Sequence, residues 1–597
     1  MPTTIEVNKQ SVEALLGSGK TKPFVIPEYQ RPYAWTDEQV ETLFEDLWDF
    51  TATSGGTERE SSYFLGSVVS YENEDGEQEI IDGQQRITSL FLLLRAIYTK
   101  LVATPASERT AEANNFIGKI EPTIWRTNKL TGTVDFKNIL LTSRVVNNEG
   151  NEILRSILET GKADEDAKDN YSKNYRHFQE LFDKHSTENP LMVYQFIYAL
   201  LNQAILLPIT ADTQDTALTI FSTLNDRGLP LSDADIFKAK IYNQLAPDDK
   251  KAFIDRWKDL DEQSTDANES IQQLFYYNMF YYRALDKDTK TTTPGVRKYY
   301  AANKFERLYK PELLDTLFVI LNLWKVVNKG EELEDEAWSK NIKIRQTLDI
   351  LTSYPNEYWK YPVVIYYVCY RNEENFETRF ARFLNKLLME LMTKYLMIPT
   401  INAVKPDILK LNSAIVASDI PAFEFKTVDM TQLEPYIQNP NRNAVRMLLK
   451  TLAYEHQDDL LPAKWEIEHI FPQKWQTNYF PDEPDATIKE KIEHIGNKLP
   501  FEKKLNIVAG NGYFGKKKKE YTASKIVITK AMGTSDVMDW NLESITKRDI
   551  RVSDEVVKIM NRWNNEYLNT PVSEGKAGEP SEEELAQIEK FKKNGWI

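Results

Sequence analysis

The sequence contains very little cysteine and no long apolar run. Cys369 is the only cysteine among 597 residues, which excludes an intramolecular disulfide and a cysteine-based zinc site. No stretch of about 18 consecutive apolar residues occurs. The first residues, MPTTIEVNKQ, do not place a basic segment before an apolar one as a signal peptide does. We therefore expect a cytoplasmic protein that does not span or anchor to a membrane.

Over the whole chain, basic residues are fewer than acidic residues. Lysine and arginine number 74 against 90 aspartate and glutamate residues, and the net charge is −16. This balance argues against a protein that coats nucleic acid or anionic membrane over its whole surface, although it allows a local basic patch. Hydrophobic residues make up 41% and charged residues 27% of the chain, as in ordinary globular proteins.

Hydrophobic periodicity divides the chain into regions. Short apolar runs at 24–26, 64–70 and 78–81, with an amphipathic helix over 36–49, predict mixed α and β structure near the N-terminus. Helical periodicity dominates from about 153 to 452, with a strand-like insert at 204–210. We expect an α+β, predominantly helical protein. Its predicted domains cover residues 1–245, 246–455 and 456–570, followed by a linker and a terminal helix over 571–597.

A strand, a glycine turn and a helix start meet at residues 80–90. Asp82 and Gly83 follow the apolar strand, and Gln84, Gln85 and Arg86 open the helix. Glycine permits a tight turn, amide N–H groups at a helix start attract anions, and arginine can bind a phosphate through two hydrogen bonds. The segment therefore predicts phosphate binding, although a turn of this kind on its own is more often a plain connection.

Two other segments carry related polar residues. Gln30 and Arg31 stand among the aromatic residues Tyr29, Tyr33 and Trp35, and residues 225–228 are Asn-Asp-Arg-Gly. Together with the Asp-Gly-Gln-Gln-Arg box at 82–86, these segments resemble the N-terminal domain of the GmrSD family of modification-dependent restriction enzymes, which has a ParB/sulfiredoxin-like fold. The resemblance covers about residues 5–245.

This resemblance implies a nucleotide-binding domain, with GTP or ATP as the ligand and with hydrolysis left open. The residues that it places in or beside the site are Asp82, Gly83, Gln84, Gln85, Arg86, Gln30 and Arg31. Asp82 would position a metal or a water, and Arg86 would hold phosphate. Because the same domain senses modified DNA in some relatives, the box could contact a DNA backbone instead of a nucleotide.

Near the other end of the chain, a histidine stands among acidic and amide residues. Glu468 and His469 close a strand-like run, Asn497 follows a glycine, and Asn506 and Asn511 come later. Histidine can deprotonate water near neutral pH, while carboxylate and amide oxygens hold a hard cation that stabilises a phosphate under attack. These residue types suit metal-assisted phosphodiester hydrolysis.

The same residues resemble the His-Me finger, or HNH, nuclease domain at the C-terminus of GmrSD proteins, which has a ββα-metal fold. The resemblance implies that His469 is the general base and that Asn497 orients it. It also implies that Glu468 and Asn506 bind Mg²⁺ or Mn²⁺, with Asn511 as the competitor for the second ligand position. Residues 476–492 would form a loop inserted into the hairpin. We expect structural or exposed roles for the remaining histidines, His177, His185, His456 and His494.

A run of lysines follows these candidate catalytic residues. Between residues 496 and 530, nine lysines stand against two glutamates, in a chain whose net charge is −16. Such a local reversal of sign predicts a surface that contacts a phosphate backbone with strong salt dependence. The expected DNA contacts are Lys516, Lys517, Lys518 and Lys519.

The two motif regions together predict a type IV restriction endonuclease that acts in antiviral defence. Nucleotide binding or modification sensing in the N-terminal domain would control cleavage of modified phage DNA at His469. Cutting both strands with one such site per chain would favour a homodimer. Three alternatives stay open: a toxin of the same fold that cleaves unmodified DNA or RNA, a nucleotide-regulated DNA-binding switch with an inactive nuclease domain, and a structural helical scaffold.

Overall fold

A computed structural model describes residues 6–54, 61–128, 130–145, 148–224, 233–400, 402–426, 428–476 and 483–571. The chain forms two compact units, Met1–Asp259 and Leu260–Ile597. Helices predominate and the sheets are small, which confirms the predicted α+β, mostly helical class. In the described ranges, no helix combines the length and the apolar character needed to cross a membrane. The predicted Asn-Asp-Arg-Gly segment at 225–228 and the terminal helix in 571–597 lie outside the described residues.

The first unit is built around a seven-stranded sheet, whose strand order is β1-β9-β4-β5-β3-β8 with β2 also paired to β9. Strands β6 and β7 pair separately. The strands are β1 (Glu6–Val7), β2 (Gln10–Ser11), β3 (Phe24–Ile26), β4 (Tyr63–Glu72), β5 (Gln78–Asp82), β6 (Trp125–Thr127), β7 (Val134–Ile139), β8 (Leu141–Ser143) and β9 (Ala204–Ala211). Strands β3, β4, β5 and β9 confirm the four strand-like runs predicted from the sequence.

Ten helices accompany these strands in the described part of the first unit. They are α1 (Val12–Ser18), α2 (Asp37–Ser54), α3 (Gln84–Ala103), α4 (Ala111–Ile124), α5 (Asn148–Thr160), α6 (Asn170–Glu188), α7 (Val193–Tyr198), α8 (Gln214–Leu224), α9 (Asp233–Gln244) and α10 (Pro247–Asp266), the last of which crosses into the second unit. Helix α2 confirms the amphipathic helix predicted over 36–49.

Apolar layers cover both faces of this sheet. Successive residues of a strand point to opposite faces, and on β4 Val68 belongs to one core cluster while Val69 belongs to the other. Helix α3 packs in the first cluster and is buried along most of its length, including every residue from 90 to 94. The opposite cluster contains Ile81 and Ile209 together with residues of α8 and α9. Packing of α3 against the sheet therefore holds the start of this helix at the end of β5.

The second unit begins with a helical region and ends with a small hairpin domain. The helices before the hairpin are α11 (Ile271–Leu285), α12 (Val296–Ala301), α13 (Leu313–Lys329), α14 (Ile342–Leu351), α15 (Lys360–Tyr370), α16 (Phe376–Met397), α17 (Lys405–Ala417), α18 (Glu434–Gln438) and α19 (Val445–Glu455). The remaining elements are β10 (Trp465–His469), α20 (Asp485–Ile492), β11 (Lys498–Glu502), α21 (Lys503–Ala509), α22 (Phe514–Thr522), α23 (Val527–Thr534) and α24 (Leu542–Leu568).

Strands β10 and β11 form an antiparallel pair, with His469 opposite Lys498 at one end. Phe501 of β11 packs with Phe514 and Tyr521 of α22 in one apolar core, so the hairpin and this helix share a hydrophobic core. The stretch predicted as a loop over 476–492 contains helix α20 in its described part. Helix α24 packs on α16 and α18 and also on the turn before β11.

Candidate functional site

The glycine turn at the end of β5 gives helix α3 its start. Gly83 is the N-cap of α3, with φ of 89°, a left-handed conformation that favours glycine. A Cβ at this position would lie 3.1 Å from Val68 Cγ2 and 3.2 Å from the Ser67 carbonyl oxygen. Because α3 is 20 residues long, its first amide groups form an N-terminus that attracts anions.

Asp82 and Arg86 place opposite charges beside this helix start. Arg86 Nη1 donates to the Ser67 carbonyl at 3.1 Å, and Gly66, with φ of 113°, leaves the room that its guanidinium occupies. Burial raises the pKa of Asp82, an effect partly offset by a backbone hydrogen bond and by the charges of Arg86 and Arg31. Burial lowers the pKa of Arg86, and Asp82 opposes that change. Both groups are thus partly withdrawn from water.

Two of the predicted ligand-binding glutamines act as supports. Gln85 Oε1 accepts hydrogen bonds from the backbone N–H groups of Ala34, at 2.7 Å, and Trp35, at 3.3 Å. Gln30 Nε2 donates to the Ile81 carbonyl at 3.2 Å. Both side chains are buried, so they tie the aromatic segment to the box.

Gln84 differs because one of its polar atoms has no partner. The residue is 7% exposed, and its Nε2 donates to the Arg31 carbonyl at 3.4 Å. Its Oε1 is buried without a hydrogen bond to any described residue. An unsatisfied buried acceptor is costly and uncommon. Gln84 Oε1 is therefore available to a ligand that brings a donor to the start of α3.

His469 ends β10 with a largely buried imidazole. Its side chain is 16% exposed, and Nε2 lies 3.5 Å from Glu493 Oε1 and 3.4 Å from Gln473 Nε2. Burial lowers the pKa of His469, and the Glu493 carboxylate offsets only part of this effect. The neutral imidazole, which can accept a proton, is thus favoured at neutral pH.

Glu493 is a neighbour of His469 that the sequence motifs did not identify. Lys498 Nζ lies 2.9 Å from Glu493 Oε2 and donates to the Glu493 carbonyl at 2.6 Å. Burial tends to raise the pKa of Glu493, but Lys498 brings the net shift below the usual value. A carboxylate therefore faces the histidine. No local sequence pattern distinguishes Glu493 from the other acidic residues of that segment. The only sequence signal is its position just before His494 and the glycine-asparagine pair.

Asn497 acts on the backbone that follows His469. Its Oδ1 accepts the Phe471 N–H at 2.7 Å, and its Nδ2 donates to the carbonyls of Phe471 and Ile492, both at 3.0 Å. Its own carbonyl accepts the Ile470 N–H at 2.8 Å. Asn497 is fully buried, and its side chain bonds to the backbone of Phe471 and Ile492, so it positions the end of β10 through the main chain.

Glu468, the predicted metal ligand, is engaged inside the protein. It is 4% exposed, and its Oε1 lies 2.7 Å from Lys517 Nζ and accepts a hydrogen bond from the Tyr521 hydroxyl at 2.6 Å. Lys517 Nζ also donates to the His469 carbonyl at 2.5 Å. Adjacent strand residues point to opposite faces, so the Glu468 carboxylate and the His469 imidazole leave β10 in different directions.

The other two predicted ligands have separate partners. Asn506 Nδ2 donates to Glu466 Oε2 at 3.2 Å. Asn511 binds the backbone of Lys474 through both its amide atoms, at 3.3 and 2.7 Å. No cluster of three or more histidine, cysteine or acidic residues suited to a metal occurs in the described ranges. In this arrangement Glu468, Asn506 and Asn511 do not fit a shared Mg²⁺ or Mn²⁺ site.

Protein-family models match both regions of the chain. Residues 12–242 match the N-terminal domain of the GmrSD restriction endonuclease, and residues 429–552 match the C-terminal domain of GmrSD restriction endonucleases. The chain belongs to the GmrSD family. No curated protein matches it. Family membership makes the protein a restriction endonuclease of the type IV class, and DNA is the substrate of such an enzyme.

The GmrSD C-terminal match extends into α24, where two consecutive residues clamp the turn before β11. Asp549 Oδ1 accepts the Gly496 N–H at 2.8 Å, and Oδ2 lies 2.7 Å from His494 Nδ1. Arg548 Nη1 donates to the carbonyls of Gly496, at 2.8 Å, and Lys498, at 2.9 Å. Burial lowers the pKa of Arg548 to about 10. The clamp thus holds the turn that carries Asn497.

The lysine run of this GmrSD domain divides into buried and exposed members. Lys517 is buried against Glu468, and Lys518 Nζ donates to the Val537 carbonyl at 2.9 Å. Lys516 and Lys519 are exposed on α22. Of the four predicted DNA contacts, Lys516 and Lys519 are therefore the ones placed to meet a phosphate backbone.

Proposed function

We propose that the protein cleaves DNA at the β10–β11 hairpin, with His469 as the general base of a His-Me finger mechanism. The observation that carries this proposal is the setting of His469 at the end of β10: its side chain is 16% exposed, Nε2 lies 3.5 Å from Glu493 Oε1, and burial lowers the pKa of the imidazole. A neutral imidazole can take a proton from the attacking water. Glu493 would then stabilise the imidazolium that forms, because its carboxylate lies beside Nε2.

Glu468 is paired within the protein and does not offer a free carboxylate to a cation. Lys517 already neutralises that carboxylate, and Asn506 and Asn511 bind other groups. The proposed mechanism therefore assigns no step to Mg²⁺ or Mn²⁺. Both cations belong in the assay below, which measures whether cleavage requires them.

We further propose that a nucleoside triphosphate such as GTP or ATP binds at the start of α3. The amide groups of the helix N-terminus and the guanidinium of Arg86 suit phosphate oxygens, and Arg31 brings a second cation near Asp82. Gln84 Oε1 would accept a hydrogen bond from a donor on the ligand. Bound nucleotide would shift the protein between inactive and active states.

Regulation of this kind suits an enzyme that cleaves modified phage DNA and spares the host chromosome. Exposed lysines contact backbone phosphates and do not by themselves select a sequence. We propose that the first unit supplies the selection, through the nucleotide or through the modification itself. A homodimer would bring two His469 residues to the two DNA strands.

A second candidate function follows from the Glu468–Lys517 pair. If cleavage requires a cation held by Glu468, and this buried ion pair persists when DNA is bound, the hairpin domain would bind DNA without cleaving it, and the protein would be a nucleotide-regulated DNA-binding switch. Its predicted behaviour is nucleotide-dependent DNA binding that substitution of His469 leaves unchanged, with no cleavage.

A cleavage assay distinguishes these functions. Wild type, His469→Ala and the matched control His456→Ala would be incubated with Mg²⁺ or Mn²⁺, with and without GTP or ATP. His456 is a suitable control because it lies in the same unit and its Nε2 pairs with Glu555 at 2.6 Å. The substrates would be unmodified plasmid and phage DNA carrying glucosylated hydroxymethylcytosine or phosphorothioate.

The proposal predicts cleavage of a modified DNA by wild type and His456→Ala and none by His469→Ala. Equal cleavage of modified and unmodified DNA would support the toxin alternative instead. DNA binding without any His469-dependent cleavage would support the switch.

A further inference from the structure

Helix α21 exposes a face that combines charge with apolar surface. Lys503, Lys504, Ile507 and Val508 are all exposed, and the fractions for Ile507 and Val508 are 68% and 62%. Residues three and four apart share a helix face, so the two lysines lie next to the two aliphatic side chains. Ala509 on the opposite side is buried in the core of the hairpin domain. Adjacent branched aliphatic side chains left in water point to an interaction surface.

This face lies close to the strand that carries His469. Asn506, next to Ile507, binds Glu466 at 3.2 Å, and Glu466 precedes His469 by three residues. Asn511, just beyond α21, binds the backbone of Lys474, which follows His469 by five residues. Contacts on both sides of His469 therefore fix the position of α21 beside the candidate catalytic strand.

The charge around this face favours a polyanion. Lys503 and Lys504 are exposed on α21, and Lys516 and Lys519 are exposed on α22, which packs against α21. Lys503 Nζ lies 3.5 Å from Glu466 Oε1, so one of these lysines is partly neutralised. Lysines bind backbone phosphates, whereas aliphatic side chains cannot. Aliphatic groups contact thymine methyl groups in the major groove, and isoleucine is also among the residues that enter base steps opened from the minor groove.

We propose that Ile507 and Val508 form a wedge that enters the minor groove of duplex DNA and unstacks a base step near the bond cleaved at His469. Lys504 and its neighbours would hold the phosphates beside the opened step. The wedge rests on the proposed function, because it takes DNA as the partner of this domain. The wedge would name the residues that deform the duplex. It also predicts a preference for pyrimidine–purine steps, because these flexible steps open most easily.

The test uses a short DNA duplex with 2-aminopurine at its thymine–adenine steps, because the fluorescence of this base rises when it unstacks. The full-length protein would be titrated at low salt as wild type, Ile507→Ala/Val508→Ala, Lys504→Ala and Leu568→Ala. Leu568 is a matched control: it is 69% exposed and lies 19 residues beyond Asp549 on α24, about 28 Å along the helix at 1.5 Å per residue.

Wild type and Leu568→Ala should raise the fluorescence, and the double variant should lose the rise. Its DNA affinity should fall by about 10- to 500-fold, because the two substitutions remove five carbon groups that the opened base step would bury partly or fully. Lys504→Ala should keep the rise while its binding becomes less dependent on salt, by about one unit in the slope of log Kd against log salt. Because both side chains are exposed, thermal unfolding of the double variant should match wild type.

The outcomes separate the wedge from the nuclease function. Equal fluorescence rise with wild type and the double variant overturns the wedge, and His469-dependent cleavage in the same samples would leave the proposed function standing. A rise that depends on Ile507 and Val508 without any His469-dependent cleavage supports the wedge and contradicts the nuclease. Binding of duplex RNA in preference to DNA, or no duplex binding by wild type, also overturns the wedge.

Discussion

The box at the start of α3 and the hairpin around His469 satisfy their polar groups to different degrees. At the box, Asp82 and Arg86 are partly buried and Gln84 Oε1 lacks a partner among the described residues. At the hairpin, Glu468 and Asn497 are buried, Glu468 Oε1 pairs with Lys517 and Tyr521, and both polar side-chain atoms of Asn497 are hydrogen-bonded. The box is thus arranged to gain contacts from a ligand, whereas the hairpin is already held in place by the protein itself.

The box and the hairpin are also held in place by different parts of the chain. The box is tied to residues 30–35, about 50 positions upstream, and to its own sheet. The hairpin depends on Arg548 and Asp549 of α24, about 50 positions downstream of the turn that they clamp. Since α24 also packs on α16 and α18, a change in the helical region could reach the turn that carries Asn497.

The largest effect should come from adding a methyl group at the clamped turn. A Cβ on Gly496 would collide with the Ile545 carbonyl oxygen and with Asp549. Gly496→Ala should lower the free energy of unfolding by about 3 kcal/mol or more and abolish cleavage, as measured by chemical denaturation and the cleavage assay. In contrast, Gly515→Ala in α22 meets no atom within 4 Å and should change stability by about 1 kcal/mol at most. Equal behaviour of the two variants would contradict the clamp.

The next effect concerns phosphate binding at the box. Arg86→Ala removes the guanidinium from the start of α3 and should weaken GTP or ATP binding by about 10- to 100-fold, as expected for a charged hydrogen bond. Calorimetric titration would measure the change. Arg126→Ala, at an exposed arginine of the same unit, is the control. Unchanged nucleotide affinity in Arg86→Ala would remove the box from the binding site.

A smaller effect should follow from replacing the unsatisfied acceptor. Gln84→Leu removes a buried oxygen that has no partner among the described residues, so the protein should keep its stability or gain up to about 1 kcal/mol, while nucleotide binding falls by about 5- to 30-fold. Thermal unfolding with and without nucleotide would show both changes. Lower stability without a change in affinity would mean that Gln84 serves only the fold.

The smallest effect should appear in the pH dependence of cleavage. Burial lowers the pKa of His469 and Glu493 opposes that change, so cleavage should rise with pH through a midpoint below the usual histidine value of about 6.5. Glu493→Gln removes the opposing carboxylate and should move this midpoint further down. A midpoint that moves upward would show that Glu493 does not act on His469.

The sequence predicted best those features that are formed by residues close together in the chain. The strand, glycine and helix start at 80–90 follow from a pattern only a few residues long, whereas the hairpin around His469 was implied by the resemblance to HNH domains; the structure contains both. The sequence motifs did not identify Glu493, Arg548 or Asp549, because their roles depend on which distant segments the fold brings together. The lysine run on α22 shows the same dependence on the fold. Lys517 is buried, Lys518 is half-buried, and Lys516 and Lys519 are exposed. Helix packing decides which lysines reach the surface.

The residues predicted as metal ligands show what a sequence motif leaves out. Glu468 and His469 are adjacent in sequence, yet a strand sends neighbouring side chains to opposite faces, and the carboxylate is paired with Lys517. A motif gives residue types and spacing, but it does not give direction or competing partners.

We propose that cleavage and nucleotide binding occur at separate sites, with His469 serving the first. The most direct test measures both activities on the same preparation of His469→Ala. We expect nucleotide affinity equal to wild type and cleavage reduced by about 10²- to 10⁴-fold, the range for loss of a general base. Cleavage at the wild-type rate, or loss of both activities in a protein that unfolds like wild type, would contradict it.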